Sequence, residues 1–144
     1  MSTAAATDSL PLRRAYRDIL LFAGWVREGK LAGSRYTELR AWVERTLRTE
    51  RSQLLRAGLD EELVADAQLI AIALVDEAVQ AGSARDLAEQ WGRDTLQYAQ
   101  YKHNNLGRDF FDRLDYWQRR PDAPLGLLEL FARIRSWSFE GRYR

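Results

Sequence analysis

The sequence has no cysteine, one histidine and three prolines among its 144 residues. Without cysteine the chain has no disulfide framework, thiolate metal site, redox pair or cysteine nucleophile. A single histidine also excludes zinc sites built on several histidines and catalytic schemes that need two imidazoles. We therefore predict a protein without a metal ion or another cofactor.

Long hydrophobic runs are missing as well. The longest apolar stretches without a charge are residues 19–26 and 67–75, whereas a helix needs about 20 apolar residues to cross a bilayer. Residues 1–10 are small and polar, with neither a basic n-region nor an apolar h-region, so they are predicted to be a disordered lead-in rather than a signal peptide. The sequence thus predicts no membrane span and no export.

Charge is nearly balanced in total, at 22 Lys+Arg against 21 Asp+Glu. It is uneven along the chain, because residues 58–100 hold 9 acidic and 2 basic side chains. A nucleic-acid-binding domain is instead expected to have a basic patch, so we predict no nucleic-acid partner. Separate acidic and basic zones suit docking to other proteins, although ordinary solvated helix faces give the same pattern.

Helix-forming residues dominate between the few prolines, which predicts an all-α fold. We expect a single helical-bundle domain of about six helices over residues 11–144, with two packed three-helix sub-bundles as an alternative arrangement. The third helix is apolar on nearly every side over residues 63–75, which is typical of a helix at the centre of a bundle. The predicted helices run from Pro11 to about Gly29, from Ser34 to Leu55 with Gly58 as the stop, from Asp60 through Glu77, from Ser83 to about Tyr101, across Phe110 and Trp117 to near Pro121, and from Pro124 to Trp137.

Two adjacent carboxylates, Asp76 and Glu77, follow the apolar stretch of the third helix. We predict that they lie in its last turn, where the helix dipole disfavours negative charge, so something should compensate them. Either the pair is solvated or bonded to an arginine, or it forms a recessed acidic site for a basic partner, together with Asp86 and Glu89. Acid–base catalysis is not favoured, because adjacent helical side chains diverge by about 100°.

The segment from His103 to Gly107 is predicted to be a turn. His103 and Asn104 are then hydrogen-bonding groups at a helix end, and Gly107 supplies a positive φ. The sequence has no phosphate-binding, zinc-protease or nucleophile-elbow motif. We therefore predict a protein that is not an enzyme.

The tryptophans are expected to lie one per helix in the core: Trp25, Trp42, Trp91, Trp117 and Trp137.

An ordered set of segments resembles the DotU/TssL (IcmH) family. The resemblance covers roughly residues 10–144, and the final six residues are its most specific part. The segments are A-L-V-D-E-A-V at residues 73–79, His103-Asn104 followed by Gly107, F-F-D-R-L at residues 110–114 with Phe110 and Phe111, and F-E-G-R-Y-R at residues 139–144.

The resemblance implies a type VI secretion system component of the bacterial inner membrane, with a related role in type IVB systems. It implies a cytoplasmic helical domain, held by a C-terminal membrane helix, that joins the membrane complex to the baseplate without enzymatic activity. The implied partners are a TssK-like baseplate subunit and a TssM-like membrane subunit. Family members continue to a membrane helix, whereas this sequence ends at Arg144. A truncated chain and a naturally short adaptor or regulatory protein both remain open.

The last segment of the sequence carries two further expectations. Phe139 is predicted to pack inward, Gly141 to turn the chain, and Arg142, beside Tyr143, to reach back to Asp76 or Glu77 as a structural clasp. If the chain is truncated, apolar side chains near this end lose their cover, which predicts self-association as a homodimer.

Overall fold

The computed structural model of the chain describes residues 11–134 apart from 13, 32, 83 and 84. Within these ranges no strand occurs, and the predicted all-α fold is confirmed. Residues 11, 12, 14 and 15 are helical and precede the first long helix. The helices are α1 (Arg17–Arg27), α2 (Tyr36–Arg56), α3 (Glu61–Ala81), α4 (Arg85–Gly92), α5 (Leu96–Tyr101), α6 (Leu106–Gln118) and α7 (Leu125–Ile134).

Helix α3 forms the centre of the bundle, as its apolar sequence predicts. It packs against α1, α2, α4, α5, α6 and α7, and 12 of its 21 residues are buried. Buried alanines at positions 67, 71 and 78 allow neighbouring helices to approach closely. Because the described helices share this one central helix, they do not divide into two three-helix sub-bundles.

Helices α1 and α2 pack side by side and lead the chain into α3. The rings of Phe22 and Trp42 stack with their centroids 5.6 Å apart. Helix α2 stops at the predicted glycine: Gly58 has φ +89°, and the amide of Leu59 donates to the carbonyl of Leu54 at 3.2 Å. This C-terminal motif satisfies carbonyls that the end of a helix leaves without partners.

The predicted fourth helix is two helices in the structure. Helix α4 ends at Gly92, and α5 begins at Leu96. Thr95 caps α5, because its Oγ1 accepts a hydrogen bond from the amide of Tyr98 at 3.1 Å. The cap of α4 predicted at Ser83 lies outside the described residues.

Tryptophan burial matches the prediction only in part. Trp91 and Trp117 lie in the core, and Trp42 is half-buried. Trp25 is 47% exposed, so its expected place in the core is wrong, because the buried face of α1 is formed by Ile19, Phe22, Ala23 and Val26.

Several predictions fall outside the residues that the structure describes. They are the disordered lead-in at 1–10, the packing of Trp137, and the clasp of Phe139, Gly141, Arg142 and Tyr143. Within the described part, no helix has the length and apolarity required to cross a bilayer.

Candidate functional site

Asp76 lies in the interior of the bundle and is only 2% exposed. Helix α3 continues to Ala81, so the prediction that Asp76 and Glu77 occupy its last turn is wrong. One carboxylate oxygen, Oδ1, accepts the indole N–H of Trp91 at 2.7 Å and the amide of Leu96 at 3.0 Å. The other oxygen, Oδ2, accepts the amide of Gln97 at 2.9 Å.

The carboxylate of Asp76 therefore holds the start of α5. The first amides of a helix have no partner within the helix, and they carry the positive end of its dipole. Asp76 satisfies two of these amides, and its charge lies where the dipole favours it. For Asp76 the expected compensation is present, and it comes from an indole and two backbone amides of the chain itself.

A buried arginine of α2 contacts the same region. The guanidinium carbon of Arg40 lies 4.9 Å from the centroid of the Trp91 ring. Its Nε donates to Glu44 at 2.8 Å, and one of its terminal nitrogens donates to the backbone carbonyl of Asp94. Arg40 thus ties α2 to both the core tryptophan of α4 and the connection between α4 and α5.

The other predicted acidic residues lie nearer the surface. Glu77 is half-buried, whereas Asp86 and Glu89 are exposed on α4. Asp86 lines a groove of about 560 Å³ between α4 and residues 33–37, and Glu89 lines a second groove of about 480 Å³ beside Gly82. Arg85 borders both grooves. The structure thus places Asp76 apart from Asp86 and Glu89: one acid faces inward and two face solvent.

The segment around His103 connects α5 to α6. His103 accepts the amide of Asn105 on Nδ1 at 3.0 Å, and its Nε2 lies 3.5 Å from the carboxylate of Asp109. The side-chain oxygen of Asn104 accepts the hydroxyl of Thr95 at 2.6 Å. These bonds join the turn to the cap of α5.

Glycine does not make this turn. Gly107 is the second residue of α6, so the expectation of a positive φ there is wrong. Lys102 adopts the left-handed conformation instead, with φ 65°. Of the two following phenylalanines, Phe110 is buried and Phe111 is partly exposed.

A second buried aspartate of α3 was not singled out from the sequence. Asp66 accepts two hydrogen bonds from Nε of Arg113 at 2.9 and 3.0 Å, one from its terminal nitrogen at 2.7 Å, and one from the indole of Trp117 at 2.6 Å. The hydrogen bond to Asp66 raises the pKa of Arg113. A signal was present in the sequence, because Arg113 and Trp117 are four residues apart and share a face of α6.

The chemistry available at these sites is recognition through hydrogen bonds and charge. Among the described residues, no group of three or more histidine, cysteine and acidic side chains is arranged to hold a metal ion. The exposed carboxylates of α4 can accept hydrogen bonds from arginine or lysine, and such charge-assisted bonds are roughly twice as strong as neutral ones.

Comparison with known proteins gives one family. The model of a family described as type VI secretion system protein DotU matches residues 11–144, the range predicted to form the helical domain. No curated protein and no solved structure gives a significant match to the chain.

Proposed function

The chain belongs to the DotU family of type VI secretion system proteins, and we propose that it acts as a non-enzymatic adaptor within that system. In this role the domain lies on the cytoplasmic side and links the membrane complex to the baseplate through protein–protein contacts. The observation that carries the proposal is the position of Asp86 and Glu89, which project from α4 into two open grooves.

Helix α4 is well suited to present these charges because buried contacts hold it in place. Its Trp91 is fully buried, donates to Asp76, and packs against the guanidinium of Arg40. A surface that is already ordered loses less conformational entropy on docking than a flexible one. The buried contacts thus supply the rigidity, and the exposed carboxylates supply the recognition.

The partners that fit this surface present arginine or lysine side chains. We infer that a TssK-like baseplate subunit or a TssM-like membrane subunit supplies them, and that a second copy of the chain is a further partner. Glu77, which is half-buried on α3, remains part of the proposal. Direct capture of a basic side chain by Asp76 stays a prediction. For such capture, the partner would have to displace the three donors of the chain that already bond to this carboxylate.

The test removes the exposed charges without touching the core. The double variant Asp86→Asn, Glu89→Gln should raise the Kd for the purified TssK-like subunit by about tenfold or more, because electrostatic complementarity is lost. The matched control is Glu61→Gln, Asp112→Asn, which changes the charge equally at exposed positions on α3 and α6. It should change the Kd by less than about twofold. Isothermal titration calorimetry at a fixed salt concentration measures both. Equal affinities for the two double variants would contradict the proposed surface.

A further inference from the structure

Glu50 on α2 is a buried acid that takes no part in the proposed docking surface. Its residue is only 4% exposed, and the Oε2 atom is buried without a hydrogen-bond partner. An ionised carboxylate in such a place costs several kcal/mol unless it is paired. The surroundings of Glu50 therefore favour the neutral carboxylic acid.

The polar groups around Glu50 and the neighbouring Tyr16 come from four helices. Asp18, near the start of α1, places a second negative charge close to Glu50. Burial, followed by the charges of Glu50 and of Tyr101 on α5, raises the pKa of the hydroxyl of Tyr16, the residue immediately before α1, and Arg51 lowers it. The same hydroxyl donates to Oε1 of Gln68 on α3 at 2.8 Å. The start of α1 thus packs where burial and the charge of Asp18 both disfavour an ionised Glu50.

Local opening can separate the start of α1 from α2 and α3 without unfolding the bundle. Helix α1 packs chiefly on α3 and α2, and its N-cap residue, Tyr16, makes no side-chain capping bond. Local opening at such an end requires less free energy than unfolding of the whole bundle.

We propose that Glu50 is a proton-controlled latch: its neutral carboxyl lets the start of α1 close against α2 and α3, and loss of the proton favours opening. Burial first, and the charge of Asp18 second, raise the pKa of Glu50 to about 8. A raised pKa in the closed state means that closure is strongest below the ordinary pKa of glutamate. Closure then weakens as the pH rises to about 8, by up to tenfold in the opening equilibrium for each pH unit.

Hydrogen exchange of the intact chain tests the latch. The protection factors of amides in α1 should fall by about tenfold or more between pH 5.5 and 7.5 and should stay below those of α3, because local opening costs less than unfolding of the bundle. In Glu50→Gln the protection of α1 should change much less over this pH range, because the amide has the shape of the acid and does not ionise. Glu38→Gln, at an exposed position on the same helix, should behave like the unaltered chain. Protection of α1 that does not change with pH in the unaltered chain, or that falls equally in Glu50→Gln, would overturn the proposal.

A second measurement needs no variant at Glu50. The side-chain carboxyl carbon of Glu50, followed by NMR, should titrate well above the ordinary glutamate pKa of about 4.3. In Asp18→Asn its midpoint should move to lower pH, since a like charge has been removed. A Glu50 midpoint at the ordinary value in the unaltered chain would exclude the latch, whether or not Glu50→Gln folds.

Discussion

Asp66 and Asp76 lie ten residues apart on the same central helix and differ in how their charge is held. Both are buried, and each accepts the indole N–H of a tryptophan. Asp66 faces the guanidinium of Arg113, which is a full opposite charge. Asp76 faces backbone amides at the start of α5, which are partial charges.

The difference shows two ways in which one helix can position its neighbours. The ion pair of Asp66 fixes α6 along its side, and part of that pair stays in contact with solvent because the Arg113 side chain is 30% exposed. The hydrogen bonds of Asp76 fix α5 at its end, and Asp76 itself is almost wholly buried. Loss of the carboxylate should therefore have a greater cost at Asp76, where solvent has little access to the donors left behind.

The largest expected effect is that of Asp76→Ala. The change leaves the indole of Trp91 and the amides of Leu96 and Gln97 without an acceptor, and each unsatisfied buried donor costs about 1–3 kcal/mol. We expect a loss of about 3–5 kcal/mol in the free energy of unfolding, measured by urea denaturation. Asp112→Ala, at an exposed position, is the control and should change it by less than about 0.5 kcal/mol.

A smaller effect is expected for Asp66→Ala. Arg113 can turn to solvent, and Glu62 lies 3.8 Å from its terminal nitrogen, so only the indole of Trp117 is left without an acceptor. The loss should be about 2–3 kcal/mol by the same measurement. If Asp66→Ala were the more destabilising of the two, the distinction between the two aspartates would be refuted.

The smallest expected effect is a difference between the two sites in how salt changes the destabilisation. An increase in NaCl from about 0.1 M to about 1 M shortens the Debye length from about 10 Å to about 3 Å. The destabilisation by Asp66→Ala should then shrink by about 0.5 kcal/mol, because the ion pair is partly exposed, while that of Asp76→Ala should not change. Urea unfolding of both variants at the two salt concentrations measures the difference. Equal salt dependence would mean that exposure of Arg113 does not weaken its pairing.

Much of the fold could be predicted because it depends on local patterns. The apolar residues at 63–75 predicted the central helix, and Gly58 predicted the end of α2, since periodicity and C-terminal glycines act over a few residues. The sequence also indicated that Asp76 needs a compensating group. These inferences concern one helix at a time.

The partners of Asp76 and Asp66 could not be predicted in the same way. The donors to Asp76 come from Trp91, Leu96 and Gln97, which lie on two helices that were predicted as one, although Gly92 and Thr95 are residue types that end and begin helices. Trp25 lies outward although its helix is apolar on a broad face. Such placements depend on which helices meet, and tertiary contacts of this kind override local propensity.

The short helix α5 has a consequence for how the chain folds. Six residues are too few to form a stable helix alone, because nucleation is costly and few bonds repay it. Its first amides are completed by Asp76, and its cap is joined to the turn at Asn104. We therefore expect residues 96–101 to become helical after α3 has formed and the chain beyond α4 has returned to it. Formation of α5 would then be a late step of folding that depends on assembly of the core.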